Sequence, residues 1–327
     1  MEINEVKEGV LCWIIFNENQ ISFDNTLKWM NDFRFFTPSK VKYRGKKKAT
    51  VKFSEKNLHE GIKQTITYKD HYLLEIMDSN NSLKLHRGSR ALLTLNLDIE
   101  TFDKSANKIM DTVNKFFLGH EGFVGIVCSS KDNFIQNISD PAWMRLYGLP
   151  VNESALISDP MVTSRIIYDI ENNPGHSHHL HGLWFGSCWA MWYGNQYFDF
   201  VSKAALLAFN NCSENIELSE DAIRIILHDN IWDYNLPQNR DKQWAFRKAA
   251  SIDEVAERLK NTPYYSNNSN PSIEINTGSF DHGGVRQIIY YLDENGKNVS
   301  KAIAKRYRIS ELDKDGVTLW EKEVPVQ

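Results

Sequence analysis

The chain has 327 residues, of which 42% are hydrophobic and 12% aromatic, so it has surface enough for a substantial core and length enough for two packed units. Its net charge of −4 is small and neither half is dominated by one sign, which argues against nucleic acid or an anionic membrane as partner. The opening MEINEVKEG is polar, and no run approaches the ~18 apolar residues of a spanning helix, so a cytosolic protein is expected.

Val10 to Phe16 is a continuous apolar run of strand length, and Phe23, Leu27, Met30 and Phe33 then recur at helical spacing. Alternation at Lys40–Phe53, Lys63–Tyr68 and Tyr72–Met77 predicts an antiparallel meander, with turns at Gly45 and at DSNNS, 78–82. The basic KVKYRGKKK at 40–48 suits a solvated edge hairpin better than a phosphate strip, because no base-stacking aromatics are interleaved with it. Ala91–Ile99 alternates as a strand. Thr101 is placed to cap a helix whose stripe is Phe102, Ala106, Ile109, Met110, Val113, Phe116 and Phe117; Gly119 stops it, and Gly122–Cys128 supplies another strand.

Beyond Asp140 the text turns rich in Pro and Gly, which places a boundary between an amino-terminal unit, 1–139, and a carboxy-terminal unit, 140–327. In the second unit, Phe198, Val201, Ala205 and Leu206 mark a helix and Ala222–Leu227 a strand. Ser251 and Glu254 stand at capping-box spacing before a helix over Ile252–Lys260. PYYSNNSNP at 263–271 reads as a linker or loop tip; Val285–Leu292, the turn DENGK, Lys305–Ser310 and Val317–Trp320 read as a small terminal sheet. The expected fold class is α+β, with mixed, mostly antiparallel sheets and helices packed on one face, arranged as two similar α/β sandwich units.

The densest run of reactive side chains is PGHSHHLHG, which holds His176, His178, His179 and His181. In an extended segment these split into two pairs on opposite faces, so a zinc-like divalent metal site would need distant residues to complete it. A metal-dependent hydrolase is the alternative that this run keeps open. No HExxH, GxGxxG, P-loop or GxSxG pattern is present, and no catalytic residue or organic cofactor is assigned. His228-Asp229-Asn230 and Asp281-His282-Gly283-Gly284 read as turns. The four cysteines, Cys12, Cys128, Cys188 and Cys212, have no zinc or disulfide spacing. The segment LWFGSCWAMWYGNQYFDF, 183–200, is mostly core, with Trp184, Trp189, Trp192 and Tyr193 as candidates for a partner-binding face.

Three stretches resemble bacterial immunity proteins of the type VI secretion class. They are the helix Phe102–Phe117 running into GHEGFVGIV, the segment HGLWFGSCWAMWYGNQYFDFV, and the strand AIRIIL with RDKQWAFRKAASIDEVAERL. The resemblance spans Ala91 to Leu259; the histidine run and the carboxy-terminal sheet are additional to that pattern. It implies a cytosolic partner-binding protein that neutralises a cognate protein toxin by occluding its active surface, without catalysis of its own.

Overall fold

The computed structural model describes residues 7–44, 48–67, 73–87, 90–119, 122–158, 166–260, 273–277, 280–296, 298–299, 301, 304–313 and 316–325. The chain forms two compact units, Met1–Ala155 with Tyr168–Thr262, and Leu156–Ile167 with Pro263–Gln327.

The first unit begins with β1 (Val10–Phe16), α1 (Phe23–Asp32), the hairpin β2 (Lys40–Arg44) and β3 (Lys48–Lys52), and α2 (Glu55–Thr67). Three strands follow, β4 (Leu73–Met77), β5 (Ser82–Arg87) and β6 (Ala91–Leu97), then α3 (Ile99–Gly119) and β7 (Gly122–Ser129). Beyond α4 (Ser130–Asn137) and α5 (Pro141–Leu146) the chain gives the small pair β8 (Leu156–Ser158) and β9 (Ile166–Tyr168), which apart from Tyr168 belongs to the second unit, and then returns to the first unit with the histidine hairpin, β10 (Ser177–Leu180) and β11 (Leu183–Gly186). The unit closes with β12 (Ala190–Gly194), α6 (Lys203–Ala208), β13 (Glu214–Ser219), β14 (Ala222–Ile226), α7 (Pro237–Ala249) and α8 (Ile252–Lys260).

Ten of these strands make one antiparallel sheet, in the order β13-β14-β12-β7-β1-β6-β5-β4-β2-β3. The sheet crosses the boundary expected at 139/140: β7 pairs with β12, Val127 opposite Ala190 and Val124 opposite Tyr193. In β1, Val10, Cys12, Ile14 and Phe16 enter one core with Trp29, Leu58, Ile62, Phe102, Ile109 and Phe116 of α1, α2 and α3. Leu11 and Ile15 enter a second core with Val124, Ile126, Met191 and Tyr193 and with Phe246, Ile252 and Val255 of α7 and α8. Helices therefore cover both faces of the central strands, not one, which is why Val10–Phe16 reads as an unbroken apolar run.

The α+β class and the antiparallel pairing stand as read. Three local expectations are corrected. Lys63–Tyr68 belongs to α2 over its described part, because Leu58, Ile62 and Thr65 recur at helical spacing and are buried. The cap of α3 is Asp98, whose Oδ1 accepts from the Thr101 amide at 2.8 Å, so Thr101 lies inside the helix. β5, with Leu83 and Leu85 buried, is an added strand. The Gly45 turn and the 263–271 tract lie outside the described residues. Lys48 and Lys52 flank the edge strand β3, and Lys42 of β2 pairs with Glu75 at 2.8 Å, as a solvated edge hairpin requires.

In the second unit, β15 (Ile273–Thr277), β16 (Arg286–Leu292), β17 (Arg306–Leu312) and β18 (Thr318–Pro325) form a four-stranded antiparallel meander. No helix among the described residues is long and apolar enough to cross a membrane.

Candidate functional site at the histidine hairpin

β10 and β11 are joined by a two-residue loop, His181-Gly182, with Leu180 paired to Leu183. Both loop residues have left-handed backbones, φ 52° and 71°, the geometry a type I′ hairpin turn demands. His181 is thus in the turn rather than the strand; its Nε2 lies 3.2 Å from the Leu259 carbonyl and its ring meets Phe200 edge-on. His179 turns the other way, its ring edge-on to Trp13 with centroids 5.4 Å apart. Neither converges with the remaining pair.

His176 and His178 do share a face, and Asp253 of α8 joins them: one ligand atom from each lies within 4.8 Å of the other two. The Asn173 carbonyl, 2.5 Å from His176 Nδ1, can only accept, which places the ring proton there and turns the Nε2 lone pair inward. That lone pair accepts from Arg247 Nη2 at 2.5 Å. Arg247 also donates from Nη1 to the His176 carbonyl at 2.6 Å and, from Nε and Nη2, to both carboxylate oxygens of Asp253. The guanidinium is buried, 1% exposed, and packs against the half-exposed Trp244 ring. His176 Nε2 and Asp253 Oδ1, 3.3 Å apart, are therefore bridged by Arg247.

The electrostatics follow from this closure. Burial alone would raise the Asp253 carboxyl, but the hydrogen bonds and charge of the Arg247 guanidinium outweigh burial and hold it well below the usual carboxylate range. His178 is pushed down to about 4, chiefly by burial and then by the neighbouring His176, Lys260 and Arg247, so its ring is neutral at pH 7. Beside the cluster opens a recess of about 640 Å³, completed by Glu171, Glu254, Glu257, Arg258 and Lys260. Lys260 bridges Glu171 at 3.0 Å and Glu257 at 3.3 Å, which lowers the Glu171 carboxyl.

The aromatic candidates lie elsewhere. Trp184, Trp192 and Tyr193 are 2%, 0% and 0% exposed, because β11 and β12 are buried strands, so none of them can meet a partner on the folded protein. Trp192 Nε1 donates to Asn114 Oδ1 at 2.7 Å, and the partly buried Trp189 donates to the His228 carbonyl at 2.7 Å. His228 is itself buried and bonds Asn230, a structural turn.

Sequence reasoning missed Arg247 and Asp253. The available signal was the composition of α7, whose buried positions are Asn239, Gln243, Phe246 and Arg247: a helix with so thin an apolar stripe must bury polar groups against polar partners. Arg240, on the same helix, makes a two-pronged pair with the buried Asp132 (2.6 and 3.2 Å), and Gln243 donates to the Ser187 carbonyl. Burial still raises the Asp132 carboxyl, outweighing Arg240.

No protein-family model matches the chain, and no curated protein matches it. A solved Pseudomonas aeruginosa T6SS protein is similar over 82% of this chain and 90% of its own, at 10% identity and a TM-score of 0.41.

Proposed function

We propose that this chain acts by binding, as a cytosolic immunity-type protein that neutralises a cognate bacterial toxin by covering its active surface. One observation carries the reading. The acid, the base and the cation of the hairpin cluster are bonded to one another, so this face offers a rigid charged recess rather than free chemistry. Rigid partners lose little entropy on docking, and charged rims steer and orient the encounter. Trp244 of α7, 38% exposed beside the cluster, replaces the buried tryptophans as the aromatic anchor.

The test is co-expression with the product of the adjacent gene, followed by growth measurement and titration calorimetry of the purified pair. A one-to-one complex and protected growth are expected. Glu257→Lys and Trp244→Ala should each weaken the complex by about tenfold or more. Unprotected growth together with no measurable complex would sink the reading. The proximity of His176, His178 and Asp253 favours one other reading, a metal-dependent hydrolase, which requires stoichiometric metal in protein purified without a tag.

A further inference from the structure

His176 Nε2 and Asp253 Oδ1, 3.3 Å apart, stand at the spacing of two ligands around a tetrahedral ion such as zinc, and His178 brings a third donor atom within 4.8 Å of its two neighbours. The supporting details match as well. His176 gives its Nδ1 proton to a backbone carbonyl, the contact that commonly orients a metal-bound imidazole. The side chain of Asp253, 46% exposed, opens on the recess and so leaves an entry path. The place of the ion is nonetheless filled: Arg247 Nη2 lies in the wedge between His176 Nε2 and Asp253 Oδ1, within hydrogen-bond distance of both. A divalent ion bound to those two atoms would overlap this nitrogen and meet a like charge in a buried setting.

We infer that Arg247 is the resident cation of a three-ligand metal-type site formed by His176, His178 and Asp253, and that this site accepts a zinc-like divalent ion only when the guanidinium is withdrawn. The hairpin and α8 are then tied together by a covalently supplied charge, independent of metal supply.

The experiment titrates cobalt(II) chloride into tag-free, chelator-treated full-length protein and reads visible absorption. Wild type should show no tetrahedral cobalt band at one equivalent. Arg247→Met and Arg247→Gln should each bind one equivalent, on the order of 100-fold more tightly than wild type, and His178→Ala added to either should abolish the band. Folded variants that bind no more cobalt than wild type overturn the inference, as does a band that survives His178→Ala. Imidazole nitrogen NMR of the wild type decides the case even if neither variant folds. His176 should keep its Nδ1 proton, and its Nε2 signal should not move with one equivalent of zinc; a zinc-dependent shift there overturns the inference. Neither result bears on toxin binding, which the Glu257 and Trp244 variants test.

Discussion

Two histidine–carboxylate contacts in this molecule are built on opposite plans. In the first unit, Asp253 faces His176 across the guanidinium of Arg247, and the three groups satisfy one another. In the second unit, Glu311 of β17 has no arginine or lysine within ion-pair distance among the described residues; its carboxylate accepts from the His282 amide and His282 Nδ1, each at 3.0 Å. Gly284 makes that approach feasible, since a Cβ there would stand 2.9 Å from Glu311 Cβ, and the His282 ring lies flat on Trp320 at 4.2 Å. The lesson is that a carboxylate can be held by a third charged group or by a turn folded around it. The first plan ties distant segments together; the second shapes one turn.

The sharpest way to break the first plan is Arg247→Met. It strands Asp253 and His176 and should cost about 3 kcal/mol in chemical denaturation, the scale of losing one partner from a buried ionic contact. A loss below ~1 kcal/mol would mean that the cluster is decorative.

A smaller effect separates the pair by pH. Because the folded His178 is pushed down to about 4 while the unfolded residue titrates near its usual 6.5, the unfolded chain takes up the proton first as pH falls. Stability is therefore lost between roughly pH 6.5 and 4, by about 1–2 kcal/mol after allowance for the ring's partial exposure. His86 is lowered to a similar value and titrates in the same window, so the measurement is the difference between wild type and His178→Gln. The variant should lose less stability from pH 7 to 4; equal losses would remove His178 from the account.

Lys260→Ala, which opens the exposed bridges to Glu171 and Glu257, should cost no more than about 0.5 kcal/mol by the same denaturation assay. The mildest probe is Glu311→Gln, which should speed hydrogen exchange at the His282 and Gly284 amides while leaving the unfolding of the first unit unchanged. Unaltered exchange at both amides would show that the turn holds without the charge.

Much of the architecture was legible because it is periodic. β1, α1, α3, β14, α8 and the terminal strands β16, β17 and β18 follow from spacing alone, whereas β15 does not. The face-splitting of the histidines was legible too, for His176 and His178 against His179. What escaped was geometry supplied by remote chain. Arg247 and Asp253 lie far along the sequence from His176, and no spacing rule connects a helix's polar face to a hairpin it has yet to meet. The partner-face reading of Trp184, Trp192 and Tyr193 failed because aromatic density reports surface to be buried without saying whether the chain itself buries it.

The strand at the amino end, β1, sits in the middle of the ten-stranded sheet, with Val10 opposite Leu97 on one side and Ser129 on the other. On the ribosome it emerges before both of its neighbours, so it cannot be paired until those later strands have been made. The nascent chain thus carries an apolar ribbon through a long stretch of synthesis before its neighbours arrive, so slow assembly and a demand for chaperone shielding are expected from topology alone.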